Sequence, residues 1–160
     1  VTITGGKWTT YRRMAQDVIN TAIQHNLLSQ APCRTESLAL HGAGAGAQRI
    51  APEAVGTPDS YYGTDLPALQ ALPGLDHVLV KSSGLTQAHV RYAARYELAR
   101  TTEDVLARRN RALFLDSQAA LLAAPEVTRI LAEEAGHDEA WQRRTLEDFQ
   151  RVAATYRLND

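Results

Sequence analysis

The sequence predicts a mainly α-helical protein, a small helical domain preceded by one strand–turn–helix. Three observations carry this. Apolar residues recur at spacings of three and four over much of the chain, as on one face of a helix. Thr or Asp stands at the start of most of the later periodic segments, and glycine follows the one that ends at Ala135. A short β-branched run, Val1 to Thr4, ends in Gly5-Gly6, the pattern of a strand that stops at a turn.

The 160 residues carry 17 Lys plus Arg against 18 Asp plus Glu, a formal charge of −1. That balance argues against a general nucleic-acid binder. The 44% hydrophobic and 22% charged composition is that of a folded chain. One cysteine, Cys33, excludes an internal disulfide framework and a four-thiolate zinc site, and it fits a reducing compartment. No apolar run approaches membrane-spanning length and no signal-peptide pattern opens the sequence.

Val1 to Thr4 would be a strand without a partner strand in the next hundred residues. The chain is therefore expected to be a piece of a longer polypeptide. Beyond Gly5-Gly6-Lys7-Trp8, Thr9 or Thr10 is placed to cap a helix. Its stripe is Tyr11, Met14, Ala15, Val18, Ile19, Ala22 and Ile23. Such a turn aims unpaired N–H groups and the positive end of a helix dipole at its surroundings. Lys7, Arg12 and Arg13 precede any acid, so an anion beside them would be stabilised. From these residues alone, a tight turn with a solvated lysine accounts for the pattern better than an anion site.

Periodicity fails between Ser29 and Leu75, where Pro32, Pro52, Pro58, Pro67 and Pro73 alternate with six glycines. Gly42-Ala43-Gly44-Ala45-Gly46 lacks the Lys-Ser/Thr end of a phosphate loop and reads as connector. A short helix is expected over Asp65 to Leu72. Further helices are expected from Thr86 to Ala99, from Thr102 to Arg111, and from Asp116 to Ala124. Pro125 would open the next, ending at Gly136, and Asp138 the last, with the stripe Trp141, Thr145, Phe149, Val152 and Tyr156. Three domains follow: 1–30 as strand, turn and helix, 31–75 as an irregular linker, and 76–160 as an all-helical domain. Residues 91–111 hold six Arg and three acids, and residues 126–148 hold seven acids and three Arg. Complementary packing between neighbouring helices, or simple solvated faces, explains this segregation better than a nucleic-acid face. The five scattered histidines show no metal-ligand spacing.

Thr4-Gly5-Gly6-Lys7-Trp8-Thr9-Thr10-Tyr11-Arg12-Arg13-Met14-Ala15-Gln16-Asp17 closely resembles the last strand–turn–helix of the flavin domain of FAD-dependent, quinone-linked glycerol-3-phosphate dehydrogenases. Val90 to Ala93, Glu103 to Asp116 and Pro125 to Val127 resemble the helical C-terminal domain of that family. The resemblance implies that residues 1–30 are left over from an α/β flavin-binding domain. It implies an enzyme that oxidises sn-glycerol 3-phosphate to dihydroxyacetone phosphate, passing electrons through FAD to quinone. Gly5, Gly6, Lys7, Trp8, Thr9 and Thr10 would lie against the flavin, and Lys7 would be the catalytic cation near flavin and substrate phosphate. No metal is implied. The resemblance further implies a cytoplasmic protein, peripheral on the inner face of the cytoplasmic membrane, and a homodimer. The family's FAD-binding glycine motif and its upstream arginines and histidine are missing from these residues. The chain alone is thus expected to be inactive and not to retain FAD. The alternative is a freestanding helical protein-interaction module without redox activity. A basic face over 91–111 meeting anionic lipid is a third reading.

Overall fold

A computed structural model describes residues 1–45 and 56–156. The chain divides into two compact units, Val1–Leu40 and His41–Asp160.

The first unit contains one helix, α1 (Tyr11–Gln24). Val1 to Gly6 are not a strand: no neighbouring strand among the described residues supplies the ladder hydrogen bonds that would define one. Thr10 occupies the N-cap position, but its hydroxyl does not cap the first turn. It accepts from the Lys7 amide at 3.2 Å and lies 3.2 Å from the Lys7 carbonyl, closing the turn before the helix. Ala22 is the one buried residue in this unit, while Val1, Ile3, Trp8, Tyr11, Ile19, Leu27, Leu28, Leu38 and Leu40 are exposed. The α1 stripe, with Ala15, Ile19 and Ile23, lines an open groove of about 880 Å³. These forty residues have no core of their own.

The second unit is helical around a real core. Two 3-10 turns, Pro58–Tyr61 and Gly63–Asp65, lead into the short α2 (Leu66–Gln70), within the span expected to be helical. A two-stranded antiparallel ribbon follows, β1 (Val78–Val80) with β2 (Leu85–Thr86), which the periodicity did not announce. Next come α3 (Gln87–Tyr96), a π-helical turn (Asp104–Arg109), α4 (Ala112–Leu115), α5 (Ser117–Ala135) and α6 (Glu139–Ala154). Three of the expected caps are present. The Thr86, Asp116 and Asp138 side chains accept from the amides of His89, Ala119 and Trp141, and Gly136 ends α5 in the left-handed conformation at φ 69°. Of the last helix's stripe, Thr145 and Phe149 are buried and Trp141 and Val152 are half-buried against the core. Tyr156 is exposed and meets the Phe114 ring edge-on at 5.3 Å.

Pro125 does not start a helix; it lies inside α5. Ala120, Ala123, Ala124, Val127, Ile130 and Leu131 are buried along one continuous face. That burial outweighs the loss of one backbone hydrogen bond at an exposed proline. The segment after Thr102 is also shorter and wider-wound than an α-helix. Thr102 is fully buried, with its hydroxyl 2.6 Å from that of Thr128 on α5, so it packs between helices. Asp104 holds the start of the turn by accepting from the amides of Arg100 and Thr101, each at 2.9 Å.

Part of the segregated charge pairs between α3 and α5, while Arg108 pairs with Glu103 and Asp104 of its own segment. Arg91 donates to Glu134 at 2.8 Å and to Glu133 at 3.2 Å, and Arg95 grips Glu134 through two nitrogens at 2.5 and 2.9 Å. Phe149, Leu106, Leu113, Val127 and Ile130 fill the core beneath. The connector glycines are described only as far as Ala45; Gly46 and Pro52 lie outside the described residues.

Candidate functional site

Gly5 and Gly6 take φ +76° and +131°, conformations open to glycine and strained for any other residue. A Cβ at Gly5 would meet nothing within 4 Å, so this stretch of backbone is open on that side. A Cβ at Gly6 would fall 2.8 Å from the Met14 sulfur, so the turn rests on α1. The Thr10 amide donates to the Lys7 carbonyl at 3.0 Å, and Met14 N to Thr10 O at 3.0 Å begins the helix. The amides of Tyr11, Arg12 and Arg13 therefore open α1 without intrahelical acceptors. No acid occupies the first turn.

The basic residues here differ in their freedom. Arg12 donates to Gln16 at 3.1 Å and to Thr35 at 3.3 Å, and Arg13 pairs with Asp17 at 3.3 Å. The Lys7 ammonium is exposed and makes no hydrogen bond or ion pair among the described residues. Trp8 is 86% exposed and stands beside the Tyr11 ring at 5.3 Å. Helix-opening amides, an unpaired cation and an exposed aromatic ring thus lie within one short stretch, residues 5–13. That arrangement suits a flat, electron-accepting or anionic group.

Cys33 is exposed, and hydrogen bonds from Thr35 hold its thiol below the usual range. No cluster of three or more His, Cys, Asp or Glu able to hold a metal occurs among the described residues. Among them, no helix is long and apolar enough to cross a membrane.

Residues 33–142 match the family described as the C-terminal domain of alpha-glycerophosphate oxidase. The chain belongs to this family. Its curated relatives include the mitochondrial glycerol-3-phosphate dehydrogenase of Arabidopsis thaliana, 31% identical over 98% of this chain. The Schizosaccharomyces pombe and human mitochondrial enzymes are each 31% identical, over 88% and 92% of the chain. The chain spans only 29%, 28% and 23% of those three proteins. No solved structure matches. The family match takes in the helical unit through α5 and ends within the first turn of α6. The turn at residues 5–10 lies outside that match but within the aligned part of the Arabidopsis relative.

Proposed function

We propose that the chain is the C-terminal part of an FAD-dependent glycerol-3-phosphate dehydrogenase, oxidising sn-glycerol 3-phosphate to dihydroxyacetone phosphate. The single observation that carries the reading is the alignment of nearly the whole chain, in order, with such dehydrogenases. It favours the dehydrogenase over a freestanding interaction module. The nine exposed large apolar side chains on residues 1–40 support it too, since they suit a segment completed by a larger domain.

The turn fits a flavin by its donor set: open backbone at Gly5, unpaired amides at the start of α1, and no acid in the first turn. Gly5, Gly6, Lys7, Trp8, Thr9 and Thr10 would hold it. FAD, when bound, supplies the two-electron acceptor for oxidation of the substrate alcohol. The chain's own part is electrostatic. The α1 N-terminus and the free amides present fixed positive potential, which needs no reorganisation as charge develops beside it. Lys7 offers three donors and a full charge to the substrate phosphate or the ring edge. The bare backbone at Gly5 permits the close approach that a side chain would block.

Transfer of electrons to quinone, peripheral attachment to the inner face of the cytoplasmic membrane and pairing as a homodimer belong to the same proposal. In the full-length enzyme, Lys7→Ala is expected to lower turnover by roughly 10²–10³, as loss of a pre-aimed donor does. Turnover is counted per bound flavin, and the melting temperature should stay at the wild-type value. Wild-type turnover in that variant would remove Lys7 from the site.

A further inference from the structure

The helical unit contains a second cavity that the dehydrogenase reading does not use. It has a volume of about 370 Å³ and is walled by Tyr61, Tyr62, Tyr92 and Tyr96. Tyr62 meets Tyr92 edge-on at 4.9 Å, and the Tyr92 and Tyr96 rings, one helical turn apart, stand 4.9 Å apart at 42°. Asp65 and Glu97 also line it. Asp65 is occupied: it accepts from Tyr92 Oη at 3.2 Å and from the Gly42 amide at 2.9 Å, with His41 Nδ1 at 3.2 Å. Glu97 is not. Its carboxylate is half-buried and has no hydrogen-bond or ion-pair partner among the described residues. Burial pushes the Glu97 carboxyl up, and the charges of Arg109 and His41 oppose that shift. Arg109 sits at the edge of the cavity, exposed and likewise unpaired among the described residues.

We propose that this tyrosine-walled cavity binds a small organic ammonium ion, with Glu97 as its counter-charge. Aromatic faces carry negative potential and attract cations. A half-buried carboxylate without donors is stabilised by any cation that reaches it. Asp65 and Glu97 outnumber the permanent charge of Arg109, so the cavity is net negative whenever His41 is uncharged, which disfavours an anion. The volume lies in the range of small-molecule sites and admits a substituted ammonium rather than a bare metal ion. The assignment is independent of the redox reading and would survive its failure.

The test is saturation-transfer NMR and calorimetric titration of the full-length protein with tetramethylammonium chloride, against potassium chloride at equal ionic strength. Saturable binding is expected. Glu97→Gln should weaken it at least about 5-fold, and Tyr96→Ala by about 2–5-fold, with Tyr96→Phe close to wild type. Arg109→Gln should tighten it, because it removes the permanent like charge among the lining residues. The proposal is overturned by an absence of saturable binding. Loss of binding in Arg109→Gln, or preferential binding of inorganic phosphate, would equally overturn it.

Discussion

Glu134→Ala is the substitution in the helical unit with the most sharply defined cost. The Glu134 side chain is 9% exposed and that of Arg91 is 10% exposed, so their 2.8 Å pair is shielded from solvent. Removing the carboxylate leaves the Arg91 guanidinium buried, with only Glu133, 53% exposed and 3.2 Å away. Arg91 Nε already lacks an acceptor, which deepens the deficit. Breaking a buried pair from one side costs about 3–5 kcal/mol, and the surviving Glu133 contact places this case near 3 kcal/mol. Arg95→Ala removes a guanidinium that is 43% exposed and should cost under about 1 kcal/mol. The assay is urea denaturation of the 160-residue chain followed by tryptophan fluorescence, in which Trp141 reports the core and Trp8 is already exposed, with melting as a check. About 3 kcal/mol corresponds to roughly 6–12 °C at this size. Arg95, and then Arg91, hold the Glu134 carboxyl below its usual range. This contribution is therefore complete above about pH 4.3 and is lost as pH falls through the lowered value. Equal losses in the two variants, or a Glu134→Ala loss below about 1 kcal/mol, would refute the argument that burial sets the magnitude.

Three further outcomes are expected. His89 Nδ1 accepts from the Thr86 amide at 3.3 Å, leaving Nε2–H buried and 3.9 Å from Asp59. Burial lowers the pKa of His89, so the unfolded chain binds more protons and stability should fall as pH drops below about 6.5. His89→Gln should flatten that dependence in melts between about pH 7.5 and 5.5; an unchanged slope would contradict it. Pro125→Ala restores a helix hydrogen bond at an exposed position and should stabilise by about 1–2 kcal/mol in denaturation, net of the proline's effect on the unfolded chain. Gly6→Ala puts a side chain at φ +131° and against Met14, so the full-length enzyme should lose flavin faster on dilution while the helical unit melts normally.

Local chemistry was legible wherever one residue decides the outcome. Thr86, Asp116 and Asp138 cap because a short polar side chain can reach a free amide. Gly136 ends α5 because the left-handed conformation there penalises a Cβ. Pairing of Arg91 and Arg95 with Glu133 and Glu134 could be anticipated from charge segregation, although the particular partners could not. Pro125 was misread because local propensity disfavours proline inside a helix, while the continuous buried face of α5 is a tertiary term. The β1–β2 ribbon is too short for a period-two signal. The π-helical turn is set by Thr102 meeting Thr128, a contact 26 residues apart. Val1 to Thr4 have the residues of a strand, yet a strand also needs a neighbour. At the candidate site, spacing gave the turn, the helix and Lys7; the flavin reading came from resemblance. The tyrosine-walled cavity escaped the sequence because its residues are gathered from four separate segments.

The central claim, that this chain forms the C-terminal part of a flavoenzyme, is tested most directly by isolating the native protein with an antibody against it. Polypeptide mass and absorbance spectrum would then be measured together. The account predicts a polypeptide several times heavier than 17.5 kDa, yellow with bound FAD and bleached by anaerobic addition of sn-glycerol 3-phosphate. A colourless protein of about that mass would contradict it.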